Sequence, residues 1–153
     1  MTTTSAVVIG VGNEYRRDDG IGAAVIAQLH QHNLDDVTLT LADGEPSRLL
    51  DAWTGVTLAV VVDAVLCDPS TPGQIHRTTI AHQPPGSAGA STHGLGIPDA
   101  IRLADALDRA PRRLVVFAVE AAELGFGLGM SAAVTAALPE VTRAVLAELG
   151  MNP

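Results

Sequence analysis

Three side chains have the types and positions expected of a metal site: Asp19, Asp63 and His93. Asp19 opens a predicted helix directly beyond the first predicted strand, and Asp63 interrupts the most apolar run of the chain near its carboxyl end. His93 follows Thr92 in a long predicted loop. Ligands of doubly wound sheets bind beyond the carboxyl ends of the strands, so the three side chains can converge there. Two carboxylates and an imidazole would bind a divalent metal and leave positions open for water or substrate.

The aspartates also have structural interpretations. Aspartate is favoured at helix N-termini, where its charge complements the helix dipole, and we prefer this interpretation for Asp18. For Asp19 we favour function over capping. A carboxylate at the end of a buried strand costs several kcal/mol unless it is paired or bound to a metal. Asp63 therefore indicates a site, with capping of a nearby turn as the alternative. Nucleophilic catalysis has little support, because the chain contains no G-x-S-x-G motif.

The first strand ends in a glycine-rich turn that resembles a dinucleotide fingerprint without matching it. Gly10 and Gly12 fit the pattern G-x-G-x-x-G, but Tyr15 occupies the third glycine position, and no Gly-Lys-Ser/Thr follows. The neighbouring carboxylates would repel phosphate, so a cation is the more suitable ligand. Asp43 has the position of a ribose-binding acid, but with the fingerprint broken we interpret it as a turn residue.

Composition indicates one globular domain over residues 1–153, with 47% hydrophobic residues, which excludes a mainly disordered chain. The net charge of −8 argues against a nucleic-acid-binding surface and favours a cationic partner or metal ion. The only cysteine, Cys67, excludes an internal disulfide and a thiolate-rich zinc site, and we expect it to be a small buried hydrophobe. Four other histidines are expected at the surface: His30, His32, His76 and His82.

No secretory signal pattern or apolar run of the ~20 residues needed to span a bilayer is visible in the sequence. We therefore expect a cytoplasmic protein that makes no membrane contact.

Apolar, β-rich runs alternate with helical patterns, which predicts an α/β fold with a mostly parallel sheet. The link from Leu66 to Gly73 is too short for a parallel crossover, so the strand after it should run antiparallel. Ser131 is the predicted N-cap of the last helix, and Pro139 predicts a kink or break within it. The predicted strands are Ala6–Gly12, Val37–Ala42, Leu58–Val65, Gln74–Ile80 and Leu114–Val119, and the predicted helices are Asp19–Gln31, Pro46–Trp53, Ile97–Leu107 and Ser131–Leu149.

Four segments resemble the hydrogenase maturation proteases, endopeptidases that trim the C-terminal extension from the large subunit of nickel–iron hydrogenases. The string G-V-G-N-E-Y-R-R-D-D-G-I-G resembles the family's N-terminal motif, and V-V-V-D-A-V resembles its second acidic site. S-T-H-G-L-G is similar to its histidine segment, with agreeing spacing, and G-L-G-M-S-A-A-V resembles its C-terminal pattern. The resemblance covers nearly the whole chain.

The resemblance implies a three-layer α/β/α sandwich of phosphorylase/hydrolase-like type, with about five strands, one of them antiparallel. It assigns the family's metal-binding trio to Asp19, Asp63 and His93, and the catalytic role to the two aspartates. Asp19 stands where some members have Glu. The metal would be nickel already loaded in the precursor, with no organic cofactor.

One segment departs from the family pattern. Where many members carry D-G-G-T, this chain has Asp43-Gly44-Glu45-Pro46, in which Glu45 could add an acidic group near the site. We assign substrate binding to Asn13, Gly44 and Glu45.

The predicted function is removal of the C-terminal extension of a nickel–iron hydrogenase large-subunit precursor after nickel insertion. Two alternatives stay open on sequence alone. One is a nickel metallochaperone without peptidase activity that uses the same trio. The other is a small nucleotide-binding module that uses Gly10, Gly12 and Asp43.

Overall fold

The computed structural model describes residues 5–80 and 96–150. Five strands form one sheet in the order β2-β1-β3-β5-β4, in which only the pairing of β4 with β5 is antiparallel. The strands are β1 (Ala6–Val11), β2 (Val37–Ala42), β3 (Leu58–Val65), β4 (Ile75–Ile80) and β5 (Arg113–Glu120). The helices are α1 (Ile21–His30), α2 (Pro46–Trp53), α3 (Gly96–Leu107) and α4 (Ala132–Glu148), and a 3-10 turn spans Arg17–Gly20.

The sheet is covered on both faces, because β1 and β3 are apolar on both sides. Even-numbered residues of β3, from Leu58 to Ala64, pack with α1 and α4 in one core. Ala59 and Val61 face the opposite core, which contains Trp53 of α2 and the apolar side of α3. The predicted three-layer α/β/α architecture and the antiparallel fourth strand are confirmed.

Parallel strands end at the same edge of the sheet, and here those ends lie at Val11, Ala42, Val65 and Glu120. We call this side the carboxyl edge. The amino end of β4 lies at the same edge, because Ile75 pairs with Val119. The carboxyl edge is where side chains from four strand ends and their following turns can meet.

Two predicted helix features differ from the structure. The first helix begins at Ile21, two residues later than predicted, because Arg17–Gly20 form a tighter 3-10 turn. The last helix continues through Pro139 from Ala132 to Glu148, so the predicted break is wrong. Buried residues before and after Pro139, including Val134 and Val145, anchor both halves on the same core. Ser131 caps this helix as predicted, since its Oγ accepts a hydrogen bond from the Val134 N–H at 3.4 Å.

Within the described ranges, no helix is both long enough and apolar enough to cross a membrane.

Candidate active site at the carboxyl edge

The glycines of the first turn are explained by close backbone packing. A Cβ on Gly10 would lie 2.5 Å from the carbonyl oxygen of Gly22, so this pair lets α1 pack directly on β1. A Cβ on Gly12 would lie 2.3 Å from the carbonyl oxygen of Asp19 and 2.8 Å from its Oδ1. Gly12 also has φ +131°, a conformation that side chains disfavour. The turn is therefore packed against a carboxylate rather than shaped around a phosphate.

The Asp19 side chain is held at the carboxyl edge by the glycine turn. It lies in the 3-10 turn Arg17–Gly20 and is half-buried. Its Oδ2 accepts a hydrogen bond from the Asn13 N–H at 2.8 Å. Asp19 does not cap α1, whose N-cap residue is Gly20 and makes no side-chain capping bond. The capping alternative for Asp19 is therefore wrong.

Asp63 is a buried carboxyl group on β3, with only 5% of its surface exposed. It pairs in register with Ala118 of β5, two residues before the end of β3, and its Oδ1 accepts the Ala64 N–H at 2.8 Å. Burial raises the pKa of Asp63 to about 7, the negative charge of Asp19 contributes to the rise, and the Ala64 hydrogen bond opposes both. Asp19 and Asp63 thus form an acidic pair in which the ionised form of Asp63 is disfavoured near neutral pH.

Asp18 has a structural role different from the predicted helix cap. The side chain is fully buried and accepts hydrogen bonds from the N–H groups of Ala122, Glu123 and Ser131, at 2.8, 3.1 and 2.6 Å. The Ser131 hydroxyl donates a fourth bond at 3.0 Å. Burial alone would raise the pKa of Asp18, but these hydrogen bonds outweigh it and lower the pKa below its usual value. Asp18 therefore ties the 3-10 turn to the loop before α4.

Two of the predicted substrate-binding segments lie side by side at the carboxyl edge. The Gly12 N–H donates to the Ala42 carbonyl at 3.0 Å, which joins the turns that follow β1 and β2. Asp43 is a turn residue, as predicted, because its Oδ1 accepts the Glu45 N–H at 3.1 Å. Glu45 accepts a hydrogen bond from the Ser47 hydroxyl, and among the described residues a Cβ on Gly44 would contact Val11. Asn13 and Glu45 thus flank the same edge as Asp19.

His93, the third predicted ligand, lies outside the described residues. So does His82, one of the histidines predicted at the surface.

One cluster at the same edge was missed on sequence. Glu120, the last residue of β5, is 4% exposed, and its Oε2 lies 2.6 Å from His76 Nε2. Cys67 is half-buried and its thiol also hydrogen-bonds Glu120, so the prediction of a buried hydrophobe is wrong. The available signal was the acidic residue ending the apolar run L-V-V-F-A-V-E.

Comparison with protein-family models gives a match. The family model described as hydrogenase maturation protease matches residues 23–148, which include Asp63 and His93 and begin after the N-terminal motif. A search of curated proteins finds no match.

Solved structures share the fold. The hydrogenase maturating endopeptidase HybD from E. coli has a TM-score of 0.74 at 24% identity, over 97% of this chain and 95% of that one. The [NiFe] hydrogenase maturation protease HybD from Thermococcus kodakarensis has a TM-score of 0.71 at 23% identity, over 95% of this chain and 98% of that one.

The family match covers well over half of the chain and includes the buried aspartate of the acidic pair. It selects the peptidase over the metallochaperone and the nucleotide-binding module. The chain belongs to the hydrogenase maturation protease family and is an endopeptidase of hydrogenase maturation.

Proposed function

We propose that this endopeptidase removes the C-terminal extension of a nickel–iron hydrogenase large-subunit precursor after nickel has been inserted. The observation that carries the proposal is the acidic pair of Asp19 and Asp63 at the carboxyl edge. Nickel would arrive as part of the substrate, and Asp19, Asp63 and His93 would bind it. Its presence in the precursor would then act as the signal that permits cleavage.

The electrostatics of the acidic pair support a cation in this position. Burial and the charge of Asp19 raise the pKa of Asp63 to about 7, so its carboxyl group stays largely protonated below that pH. A divalent ion placed between the two groups would offset both effects, because an opposite charge nearby favours the ionised form. Carboxylate oxygens together with the imidazole of His93 form a donor set that suits Ni²⁺.

We propose that peptide hydrolysis uses water rather than a covalent enzyme intermediate. Water would add to the scissile carbonyl, a carboxylate of the pair would accept its proton, and the C–N bond would break as the amide nitrogen is protonated. This assignment makes the enzyme aspartyl-type. In agreement with it, the Cys67 thiol is hydrogen-bonded to Glu120, and burial together with the charge of Glu120 raises its pKa, which disfavours the nucleophilic thiolate.

An apolar surface of the precursor would be bound beside the acidic pair. Tyr15, Phe126 and Leu128 are 60%, 88% and 72% exposed, which is unusual for large apolar side chains in one place. Their backbones are joined, since the Gly127 N–H donates to the Tyr15 carbonyl at 2.8 Å and the Arg17 N–H donates to the Gly127 carbonyl at 3.0 Å. We call Tyr15, Phe126 and Leu128 the apolar rim. The apolar rim is continuous with the Arg17–Gly20 turn that contains Asp19, which supports the precursor as its binding partner. Asn13, Gly44 and Glu45 would contact the same precursor.

The test is the intact mass of the large-subunit precursor after incubation with this protein, with and without nickel loading. We expect loss of a C-terminal peptide from the nickel-loaded form alone. Asp63→Asn should abolish this loss while circular dichroism shows a folded protein. Asp51→Asn is the matched control, because Asp51 is an exposed acid that pairs with Arg109 near the opposite edge. Processing by folded Asp63→Asn at the wild-type rate would overturn the assignment of that residue.

A further inference from the structure

Cys67, His76 and Glu120 form a group of side chains whose types can bind a metal, separate from the acidic pair. The Cys67 Sγ, one imidazole nitrogen of His76 and one carboxylate oxygen of Glu120 all lie within 4.8 Å of one another. His76 Nε2 and Glu120 Oε2 are 2.6 Å apart. Glu120 is buried, Cys67 is half-buried and His76 is exposed, so the group opens to solvent on the imidazole side.

The fold fixes these three residues from three different segments. Glu120 ends β5, His76 lies in the neighbouring antiparallel strand β4, and Cys67 follows β3 on the link to β4. That link wraps around Glu120: the Gly73 N–H donates to the Glu120 carbonyl at 2.8 Å, and the Glu120 N–H donates to the Gln74 carbonyl at 2.9 Å. The arrangement is therefore held by the backbone and does not depend on the side-chain contacts alone.

One carboxylate oxygen of Glu120 is held by the backbone, and the other faces His76. The Thr71 N–H donates to Oε1 at 2.7 Å, which turns Oε2 toward His76. A hydrogen bond to the non-ligating oxygen is the usual support of a carboxylate ligand in metal sites.

We propose that Cys67, His76 and Glu120 bind one divalent transition-metal ion of the zinc type, independently of the substrate-borne nickel at the acidic pair. Thiolate, imidazole and carboxylate are the ligands that tetrahedral zinc sites use, and three of them leave a fourth position for water. With metal–ligand bonds of about 2.0–2.3 Å, donor atoms around such an ion stand roughly 3.4–3.6 Å apart. The donors therefore need to shift by only about 1 Å, as the ion takes the place of the hydrogen bond between His76 and Glu120. The Cys67 thiol and the group that donates in this hydrogen bond would release their protons to solvent on metal binding.

The competing explanation is a hydrogen-bonded trio with no metal function. In that case His76 and the Cys67 thiol donate to Glu120, and the three groups simply satisfy a buried carboxylate. The two explanations differ in what the thiol does when a metal is offered, because metal binding requires the thiolate. A probe that reports a metal–sulfur bond separates them.

The experiment is titration of the full-length protein with Co²⁺ alone, followed by the near-ultraviolet thiolate-to-cobalt charge-transfer band. We expect the band to saturate at one equivalent and to disappear when Zn²⁺ is added. It should be absent in Cys67→Ser, and His76→Gln should bind Co²⁺ at least about tenfold more weakly, since losing a ligand costs no less than losing its supporting partner. Asp63→Asn should keep the band unchanged, because the acidic pair contributes no sulfur.

Four results would overturn the proposal: no charge-transfer band with wild-type protein, a band that survives in Cys67→Ser, Co²⁺ binding by His76→Gln that is as tight as that of the wild type, or a band that is lost in Asp63→Asn. His76→Gln keeps the test decisive if Cys67→Ser fails to fold, because the His76 side chain is 45% exposed and its loss disturbs no core packing. The outcome is also independent of precursor processing, which no step of the titration involves.

Discussion

Replacing Asp63 by asparagine should stabilise the metal-free protein at alkaline pH while removing its activity. The pKa of Asp63 is about 7 in the folded chain, against 3.8 for an ordinary aspartate. Between these values the folded state holds a proton that the unfolded state has lost, so stability falls as the pH rises from about 4 to 7. Because each pKa unit corresponds to about 1.4 kcal/mol, ionised Asp63 costs the folded protein about 4 kcal/mol above pH 7. The neutral amide introduced by Asp63→Asn would not carry this cost, and its Oδ1 can still accept the Ala64 N–H.

The assay is urea unfolding of the wild type and Asp63→Asn at several pH values, without metal. We compare the difference in the free energy of unfolding between the two proteins at each pH. In this difference the contributions of other titrating groups cancel, and any cost of burying the amide N–H does not vary with pH. Between about pH 5 and pH 8.5 the difference should grow by about 3 kcal/mol in favour of Asp63→Asn. For a chain of this size that corresponds to roughly 6–12 °C in Tm.

Two further variants test whether the pH dependence of stability comes from the acidic pair. Asp19→Asn removes the like charge that raises the Asp63 pKa, so the wild-type decline with pH should become shallower. Asp51→Asn should leave it unchanged, because Asp51 is an exposed acid paired with Arg109. A difference between wild type and Asp63→Asn that stays constant with pH, or that grows toward acid, would refute the reasoning.

Three other substitutions test the supporting structure. Gly12→Ala should lower the free energy of unfolding by several kcal/mol and impair processing, because its Cβ would lie 2.3 Å from the Asp19 carbonyl oxygen. Gly55→Ala is the control: it is also at positive φ, but no atom of the described residues lies within 4 Å of the added Cβ, so it should cost about 1 kcal/mol. Equal losses of stability in the two variants would contradict this. Asp18→Asn should lower the free energy of unfolding by about 2–3 kcal/mol near neutral pH. Since the pKa of Asp18 is lowered by folding, this loss of stability should shrink as the pH falls below the ordinary aspartate value of 3.8. A loss of stability that grows toward acid would contradict the prediction. Phe126→Ser should raise the KM for the precursor with little change in kcat or stability. Leu107 is an exposed leucine at the end of α3, and the control variant Leu107→Ser should leave the KM unchanged. Equal KM values for the two variants would show that the apolar rim does not bind the substrate.

Much of the sheet was predictable, because its signals are local. The eight-residue run L-A-V-V-V-D-A-V forms a strand buried on both faces, and its bounds agree with the prediction. The direction of β4 followed from the length of one link, since eight residues cannot make a parallel crossover. Asp63 stood out for the same reason, as the one charged residue within a run that the core had to bury.

The contacts that were not predicted join residues distant in sequence. The Asp18 carboxylate binds N–H groups more than 100 residues away, so helix-capping preference pointed to the wrong partner. Cys67, His76 and Glu120 meet only because β4 lies beside β5 and the link curls around its end. Pro139 likewise costs the helix one hydrogen bond locally, while the apolar contacts that keep it continuous come from the sheet.

The apolar rim combines a backbone that is part of the fold with side chains that contribute little to it. The backbone on either side of Gly127 is fixed by hydrogen bonds to Tyr15 and Arg17, yet the Phe126 and Leu128 side chains are 88% and 72% exposed. Exchanging those two side chains alters the outer surface without disturbing the turn that holds Asp19. Under the proposed role of the apolar rim, changes in these two side chains would alter the precursor preference of such proteases at little cost in stability and without changing the acidic pair.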